Sequence, residues 1–122
     1  DFLLIHSMNI DLMGHRFGAD SREYKDAVAN ASDIVGSLTS KWLEAGYNVI
    51  ITADHGMDEL GIHGGSREEH RYVPLYLFGD IFEYGRFDEF EISQLNIAPL
   101  ICKSLGIRPG DKMLKELAIK FK

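Results

Sequence analysis

The sequence has few cysteines, few prolines and no long apolar run. Its 122 residues include three prolines and one cysteine, Cys102. A single cysteine cannot close an internal disulfide, and its apolar surroundings in the sequence favour a buried small side chain over a nucleophile. No apolar stretch approaches the roughly 20 residues that cross a bilayer, so we expect no membrane segment in this chain. These absences argue against a disulfide-stapled miniprotein and a membrane-spanning bundle.

Positive charge is also scarce. Lys and Arg number 13 against 19 Asp and Glu, which gives a net charge of −6. The resulting field repels polyanions, so a nucleic-acid polymer is not an expected partner. Hydrophobic residues make up 45% of the chain and charged residues 26%, as in ordinary globular proteins. A chain of this length holds one domain or part of a larger one.

Three short apolar runs predict β-strands. Residues 2–5 predict a buried strand, and a chain that opens inside such a strand, without Met, is expected to be a piece of a longer protein. Residues 48–53 are β-branched and apolar on both alternate faces, which is typical of a central parallel strand. Residues 73–78 predict the third strand.

The intervening segments predict helices. Apolar residues recur every three or four positions from Ser21 to Trp42, which indicates an amphipathic helix that Gly46 ends. Residues 91–105 predict a second helix, which Pro99 should kink or delimit. Strand, helix and strand in this order indicate a right-handed βαβ unit. The predicted fold class is therefore α/β, a three-layer, mostly parallel sheet with helices on both faces.

Side chains that can bind metal follow the predicted strands. Asp11 and His15 follow the first strand, Asp54 and His55 follow the second, and His63 lies in the loop beyond. Ligands bind at the carboxyl ends of the strands in open α/β sheets, so these segments should converge. Imidazole and carboxylate are natural ligands of Zn²⁺ and Mn²⁺, and two such ions about 4 Å apart need six or seven protein ligands. The sequence therefore predicts a metal site with these five side chains.

Three motifs in this order resemble the alkaline phosphatase superfamily, and its type I phosphodiesterase/nucleotide pyrophosphatase branch above all. They are Asp-x-x-Gly-His-x-x-Gly at residues 11–18, Thr-Ala-Asp-His-Gly-Met at residues 52–57, and His-Gly-Gly at residues 63–65 with Val-Pro-Leu at residues 73–75. The run Gln-Leu-Asn-Ile-Ala-Pro at residues 94–99 is similar to the helix after that family's metal site. The resemblance implies that residues 1–122 are the C-terminal portion of an alkaline-phosphatase-like catalytic domain.

The resemblance implies two divalent metal ions, usually zinc, with manganese as the alternative. Asp11, His15 and His63 match the positions that hold one ion, and Asp54 and His55 match two positions that hold the other. The family's remaining Asp and its Thr or Ser nucleophile match no residue here. The intact protein is therefore expected to be a hydrolase, a phosphodiesterase or nucleotide pyrophosphatase acting on small phosphate esters or nucleotides. This chain alone is expected to be inactive.

Other functions remain open. Phosphopentomutases and cofactor-independent phosphoglycerate mutases resemble the chain at residues 52–56, and His70 would then take the part of His63. Phosphoethanolamine transferases and sulfatases share the His-Gly-Gly arrangement. A non-catalytic metal-binding α/β module is an alternative of another class.

Two further expectations concern a substrate contact and assembly. Arg67 is a candidate for contact with a substrate phosphate, because its guanidinium can donate two hydrogen bonds to one phosphate. Strand edges and apolar helix faces that the rest of a sheet would cover predict self-association of this chain.

Overall fold

A computed structural model describes residues 1–86, 91–114 and 119–122. They fall into two compact units, one of residues 5–77 and the other of residues 1–4 with residues 78–122. None of the described helices is both long and apolar enough to cross a membrane. The larger unit contains every predicted metal ligand.

The larger unit begins with helices α1, Asn9–Phe17, and α2, Arg22–Glu44. Gly14 is buried in α1, and a Cβ built there would lie 2.8 Å from Met57 Cε and 3.2 Å from Tyr24 Cε2. A glycine here lets α1 approach α2 and the segment after the first strand without displacing the side chains of Met57 and Tyr24. This contact places the polar face of α1 beside that segment.

Helix α2 confirms the helix predicted from Ser21 to Gly46. The Ser21 hydroxyl caps it by accepting a hydrogen bond from the Tyr24 N–H at 3.1 Å. Gly46 has a φ of 84°, and its N–H donates to Leu43 O at 2.9 Å. The Tyr47 N–H donates to Trp42 O at 2.9 Å, which completes a Schellman motif.

The sheet of the described residues has two strands, β1 (Val49–Thr52) and β2 (Leu75–Phe78). They confirm two of the predicted strands in shortened form and the α/β class. The three-layer, mostly parallel sheet is not shown by these residues. Residues 2–5 form no strand, and their side chains are more than half exposed. The prediction of a buried strand there is wrong for this chain, because a strand needs a hydrogen-bonded neighbour and a cover for its apolar face. Without that strand, the predicted βαβ unit does not form.

Short helices complete both units. Helix α3, Glu68–Arg71, lies between the strands, and the loop from residue 53 to residue 67 is named here the β1–α3 loop. In the smaller unit a 3₁₀ turn, Gln94–Asn96, leads into α4, Ile97–Ser104. Pro99 lies in the first turn of α4, where no N–H is needed, so it delimits the helix as predicted.

Candidate metal centre

Helix α1 carries the first two predicted ligands on one face. Asp11 and His15 are four residues apart, and Asp11 Oδ1 lies 3.5 Å from His15 Nε2. Residues at this spacing are neighbours on a helix surface. No helix was expected at residues 9–17, although the four-residue spacing of Asp11 and His15 was a signal for one.

The β1–α3 loop brings two more histidines to Asp11. Asp11 Oδ1 lies 3.8 Å from His55 Nε2 and 3.9 Å from His63 Nε2. The rings of His55 and His63 stack with their centroids 3.7 Å apart. His63 Nε2 is also 3.2 Å from His15 Nε2. Four side chains from distant parts of the sequence therefore direct polar atoms into one volume, which we name the Asp11 cluster: Asp11, His15, His55 and His63.

Two backbone carbonyls set the tautomers of His15 and His55. His15 Nδ1 lies 2.8 Å from Gly61 O, and His55 Nδ1 lies 2.9 Å from Gly56 O. A carbonyl oxygen only accepts, so the proton of each neutral ring is on Nδ1, and each Nε2 presents a lone pair to the cluster. Metal-binding histidines are held in this way, since the nitrogen that does not bind the metal donates to an oxygen.

Asp11 Oδ1 provides a test of whether the cluster suits a cation. This oxygen is buried and has no hydrogen-bond partner among the described residues. A buried carboxylate oxygen without a partner is costly, and the His15 and His55 nitrogens that face it bring lone pairs rather than protons. A divalent cation supplies the missing electron-pair acceptor. Asp11, His55 and His63 each place one ligand atom within 4.8 Å of the others. The residues present therefore fit a metal ion.

Asp54 lies at the exposed side of the Asp11 cluster. Its Oδ2 is 3.8 Å from His55 Nε2 and 3.9 Å from His6 Nε2. Its Oδ1 accepts the backbone N–H of His55 at 3.1 Å. All five predicted ligands are thus linked by short contacts that run from His15 to Asp54. His6, which the sequence analysis did not count as a ligand, adjoins the Asp54 end.

His70 lies outside this cluster. Its Nε2 is 3.0 Å from Asp58 Oδ2, and its Nδ1 accepts the Gly65 N–H at 3.0 Å. Both ring nitrogens are therefore engaged with the protein. The structure brings His63 and not His70 to Asp11, which does not favour the phosphomutase alternative.

Arg67 contacts three carboxylates. Its guanidinium nitrogens lie 3.2 Å from Asp58 Oδ2, 3.2 Å from Glu59 Oε2 and 3.4 Å from Glu69 Oε2. The charges of Glu59 and then Glu69 raise the pKa of Arg67 above its ordinary value. Contact of Arg67 with a substrate phosphate stays a prediction.

The field of Asp11 extends to α2. Burial raises the pKa of Tyr24, and the nearby charge of Asp11 raises it further. The tyrosine hydroxyl is thus kept neutral beside the carboxylate.

Comparison with known proteins identifies the family. Residues 1–73 match the family model described as type I phosphodiesterase / nucleotide pyrophosphatase. Human GPI ethanolamine phosphate transferase 1 is 27% identical over 127 residues, which cover 84% of this chain and 14% of that protein. The catalytic subunit of human GPI ethanolamine phosphate transferase 3 is 27% identical over 110 residues, which cover 88% of this chain and 10% of that protein. GPI ethanolamine phosphate transferase 1 of Yarrowia lipolytica is 26% identical over 142 residues, covering 96% and 15% respectively. No solved structure matches.

The matched range contains the whole candidate site. Residues 1–73 include Asp11, His15, Asp54, His55 and His63, whereas the chain spans only 10–15% of the length of these three relatives. The family match covers more than half of the 122 residues. The chain belongs to the type I phosphodiesterase / nucleotide pyrophosphatase family of the alkaline phosphatase superfamily.

Proposed function

We propose that the full-length protein containing these residues is a metal-dependent enzyme that transfers ethanolamine phosphate to a GPI acceptor. The observation that carries the metal-dependent part is the convergence of Asp11 Oδ1 with the Nε2 atoms of His15, His55 and His63. The transfer reaction is supported by the GPI ethanolamine phosphate transferases, whose similarity covers most of this chain. This chain's proposed part is to supply metal ligands.

The proposed ligand sets follow the family pattern. Asp11, His15 and His63 would hold one divalent ion, and Asp54 and His55 would contribute to the other. His55 lies between the two sets, with Nε2 3.8 Å from both Asp11 Oδ1 and Asp54 Oδ2. Such ions, when bound, neutralise phosphate charge and stabilise the attacking and leaving oxygens of an in-line displacement. Zinc suits this mixture of imidazole and carboxylate ligands, with manganese as the alternative.

The protein's own groups have two tasks at this site. The carbonyls of Gly61 and Gly56 hold His15 and His55 with Nε2 unprotonated, so these rings are ready to bind a cation. Asp11 and Asp54 supply negative charge that attracts cations. The two carboxylates of this chain offset only part of the charge of two divalent ions, and the remaining positive charge would attract an anionic phosphate diester.

The proposed transfer exchanges one phosphate ester bond for another. The P–O bond to the donor alcohol breaks, a P–O bond to a GPI hydroxyl forms, and the acceptor's proton leaves with the donor alcohol. No residue of this chain matches the family's nucleophile, so the proposal places that group elsewhere in the full-length protein.

Hydrolysis is the second candidate, and the family match favours it. Type I phosphodiesterases and nucleotide pyrophosphatases are expected to pass the phosphoryl group to water, and the motifs at residues 11–18 and 52–57 resemble theirs. The proposed metal ligands serve both reactions, because the difference between them is the acceptor. The acceptor must therefore be identified by its product.

The deciding experiment follows the ethanolamine phosphate group. Purified full-length protein with added zinc is incubated with an ethanolamine phosphate diester and a GPI acceptor, and the products are identified by mass spectrometry. A GPI product enlarged by ethanolamine phosphate is expected, and it should vanish in His63→Ala. Free ethanolamine phosphate alone would establish the hydrolase instead. Absence of both products would contradict the proposed metal-dependent function.

A simpler substrate tests where the catalytic machinery lies. The full-length protein should release p-nitrophenolate from bis(p-nitrophenyl) phosphate with zinc present, and the 122-residue chain alone should not. Equal specific activity of the two would mean that this chain contains the nucleophile.

A further inference from the structure

Asp58 and His70 form a buried pair behind the Asp11 cluster. Their side chains are 3% and 5% exposed, and His70 Nε2 lies 3.0 Å from Asp58 Oδ2. Because His70 Nδ1 accepts the Gly65 N–H, the proton of the neutral ring is on Nε2, and it is donated to Asp58. Arg67 reaches the same Asp58 oxygen at 3.2 Å. A buried carboxylate held by a histidine and an arginine fixes the positions of all three residues.

The other oxygen of Asp58 shapes the segment that leads to His63. Asp58 Oδ1 accepts the backbone N–H of Leu60 at 3.0 Å and that of Ile62 at 2.8 Å. Ile62 immediately precedes His63, so this carboxylate fixes the backbone from which the ligand projects. Its charge is favoured there, since the Ile62 N–H, followed by the contact with His70, lowers the pKa of Asp58.

The same turn also orients His15. The Gly61 N–H donates to the backbone oxygen of Asp58 at 3.1 Å, and Gly61 O in turn is 2.8 Å from His15 Nδ1. The tautomer of His15 therefore depends on a carbonyl whose direction the Asp58 turn sets. A change at Asp58 should be felt at His15, although the two side chains need not touch.

His70 makes the matching connection to His55. Its backbone oxygen accepts the Gly56 N–H at 2.9 Å, and Gly56 O is 2.9 Å from His55 Nδ1. The His70 ring also accepts the N–H of Gly65, two residues after His63. Hydrogen bonds of Asp58 and His70 therefore hold the backbone groups that orient three histidines of the Asp11 cluster.

We propose that Asp58 and His70 are positioning residues, which hold His15, His55 and His63 in the arrangement that binds metal. This inference rests on the proposed metal site. A pair that only filled space could be replaced by apolar side chains of similar volume. A pair that positions the ligands is required for its hydrogen-bonding atoms. The N–H groups of Leu60 and Ile62 donate to Asp58, and the Gly65 N–H donates to His70.

The test compares substitutions that keep or remove these hydrogen bonds in the full-length protein. Asp58→Asn keeps Oδ1 for the backbone but turns the atom facing His70 and Arg67 into a donor. His70→Gln keeps a donor for Asp58 and an acceptor for Gly65, whereas His70→Leu keeps neither. Glu59→Gln is the control, since Glu59 also contacts Arg67 but is 48% exposed.

Zinc affinity is measured by competition with a chromogenic chelator, and unfolding by urea is measured in parallel. Loss of a group that orients metal ligands typically weakens metal binding about 10–100-fold. We expect a loss of this size for Asp58→Asn and His70→Leu, partial recovery in His70→Gln, and wild-type affinity in Glu59→Gln. The visible spectrum of the Co²⁺-loaded protein should change in the two weakened variants, because the ligand geometry changes.

The outcomes separate this inference from the proposed function. No zinc binding by the wild-type protein would overturn the metal site and the positioning role together. Wild-type zinc affinity and Co²⁺ spectrum in folded His70→Leu and Asp58→Asn would overturn the positioning role alone. If either variant fails to fold, His70→Gln still tests the positioning role. Equal zinc affinity of His70→Gln and Glu59→Gln would contradict that role.

Discussion

The Nε2 atoms of His15 and His63 lie 3.2 Å apart, although 48 positions separate the two residues in the sequence. His15 presents a lone pair at this contact, because its Nδ1 proton is donated to Gly61 O. The nitrogen of His63 must therefore either donate its own proton to His15 or share a cation with it. Asp11 Oδ1, 3.5 Å and 3.9 Å from the two nitrogens, supplies the negative charge that favours the shared cation.

Close packing at Gly14 gives a prediction about stability. Gly14→Ala would place a Cβ 2.8 Å from Met57 Cε, 3.0 Å from Met57 Cγ and 3.2 Å from Tyr24 Cε2, so we expect overpacking to offset the helix preference of alanine and to leave this variant about 1 kcal/mol or more less stable than Gly36→Ala. Gly36→Ala in α2 is the matched control. A Cβ at Gly36 meets no atom within 4 Å, and alanine in a helix is favoured over glycine by about 0.5–1 kcal/mol. Urea unfolding of both variants measures the two effects, and a Gly14→Ala protein as stable as Gly36→Ala would contradict the packing.

The acid sensitivity of the fold should depend on Asp58. Hydrogen bonds from the Ile62 N–H and from His70 lower the pKa of Asp58 below the ordinary value of 3.8. The folded state therefore binds this proton less readily than the unfolded state. Asp58 contributes its full stability above pH 3.8, and the contribution is lost as the pH falls through the lower folded pKa.

Asp58→Asn tests this dependence. The free energy of unfolding should be lower than wild type at neutral pH and should fall less between about pH 5 and about pH 1. Asp33→Asn, which changes an exposed carboxylate on α2, is the control and should keep the wild-type slope. Parallel acid profiles of wild type and Asp58→Asn would show that another carboxyl group carries the effect.

The candidate ligands could be predicted because their chemistry is local to three motifs. Asp11, His15, Asp54, His55 and His63 were named from residue type and spacing, and the structure brings them together. The backbone groups that orient these ligands could not be predicted in this way. The carbonyls of Gly56 and Gly61 act through backbone direction, which residue identity alone does not reveal.

Helix α2 and the first strand show the same limit in the fold. The apolar stripe and Ser21 cap of α2 act within one element, so the pattern was sufficient to predict the helix. Residues 2–5 have the composition of a buried strand, but a strand exists only beside a partner, and the described residues give them none. The buried Asp58–His70 pair was missed for a similar reason, since it joins residues 12 positions apart through a turn.

The exposed apolar start of the chain gives a prediction about assembly. The side chains of Phe2, Leu3, Leu4 and Ile5 are 58–77% exposed, and contiguous apolar surface drives association. We expect the 122-residue chain to self-associate at tens of micromolar, and Leu4→Glu to weaken this association. Leu60→Glu is the control, because Leu60 is 70% exposed but lies in the β1–α3 loop. Sedimentation velocity checks all three proteins, and a monodisperse wild-type monomer would exclude the association.

The metal content of the full-length protein tests the proposed site most directly. Elemental analysis of the purified wild-type protein should find two divalent ions per chain, as the proposed two-metal site requires. His63→Ala should lose most of one ion, because it removes one of the three ligands proposed for that ion, while Asp33→Asn should keep both. A wild-type protein without bound divalent metal, or a His63→Ala protein with unchanged stoichiometry, would contradict the assignment of the Asp11 cluster as a metal centre.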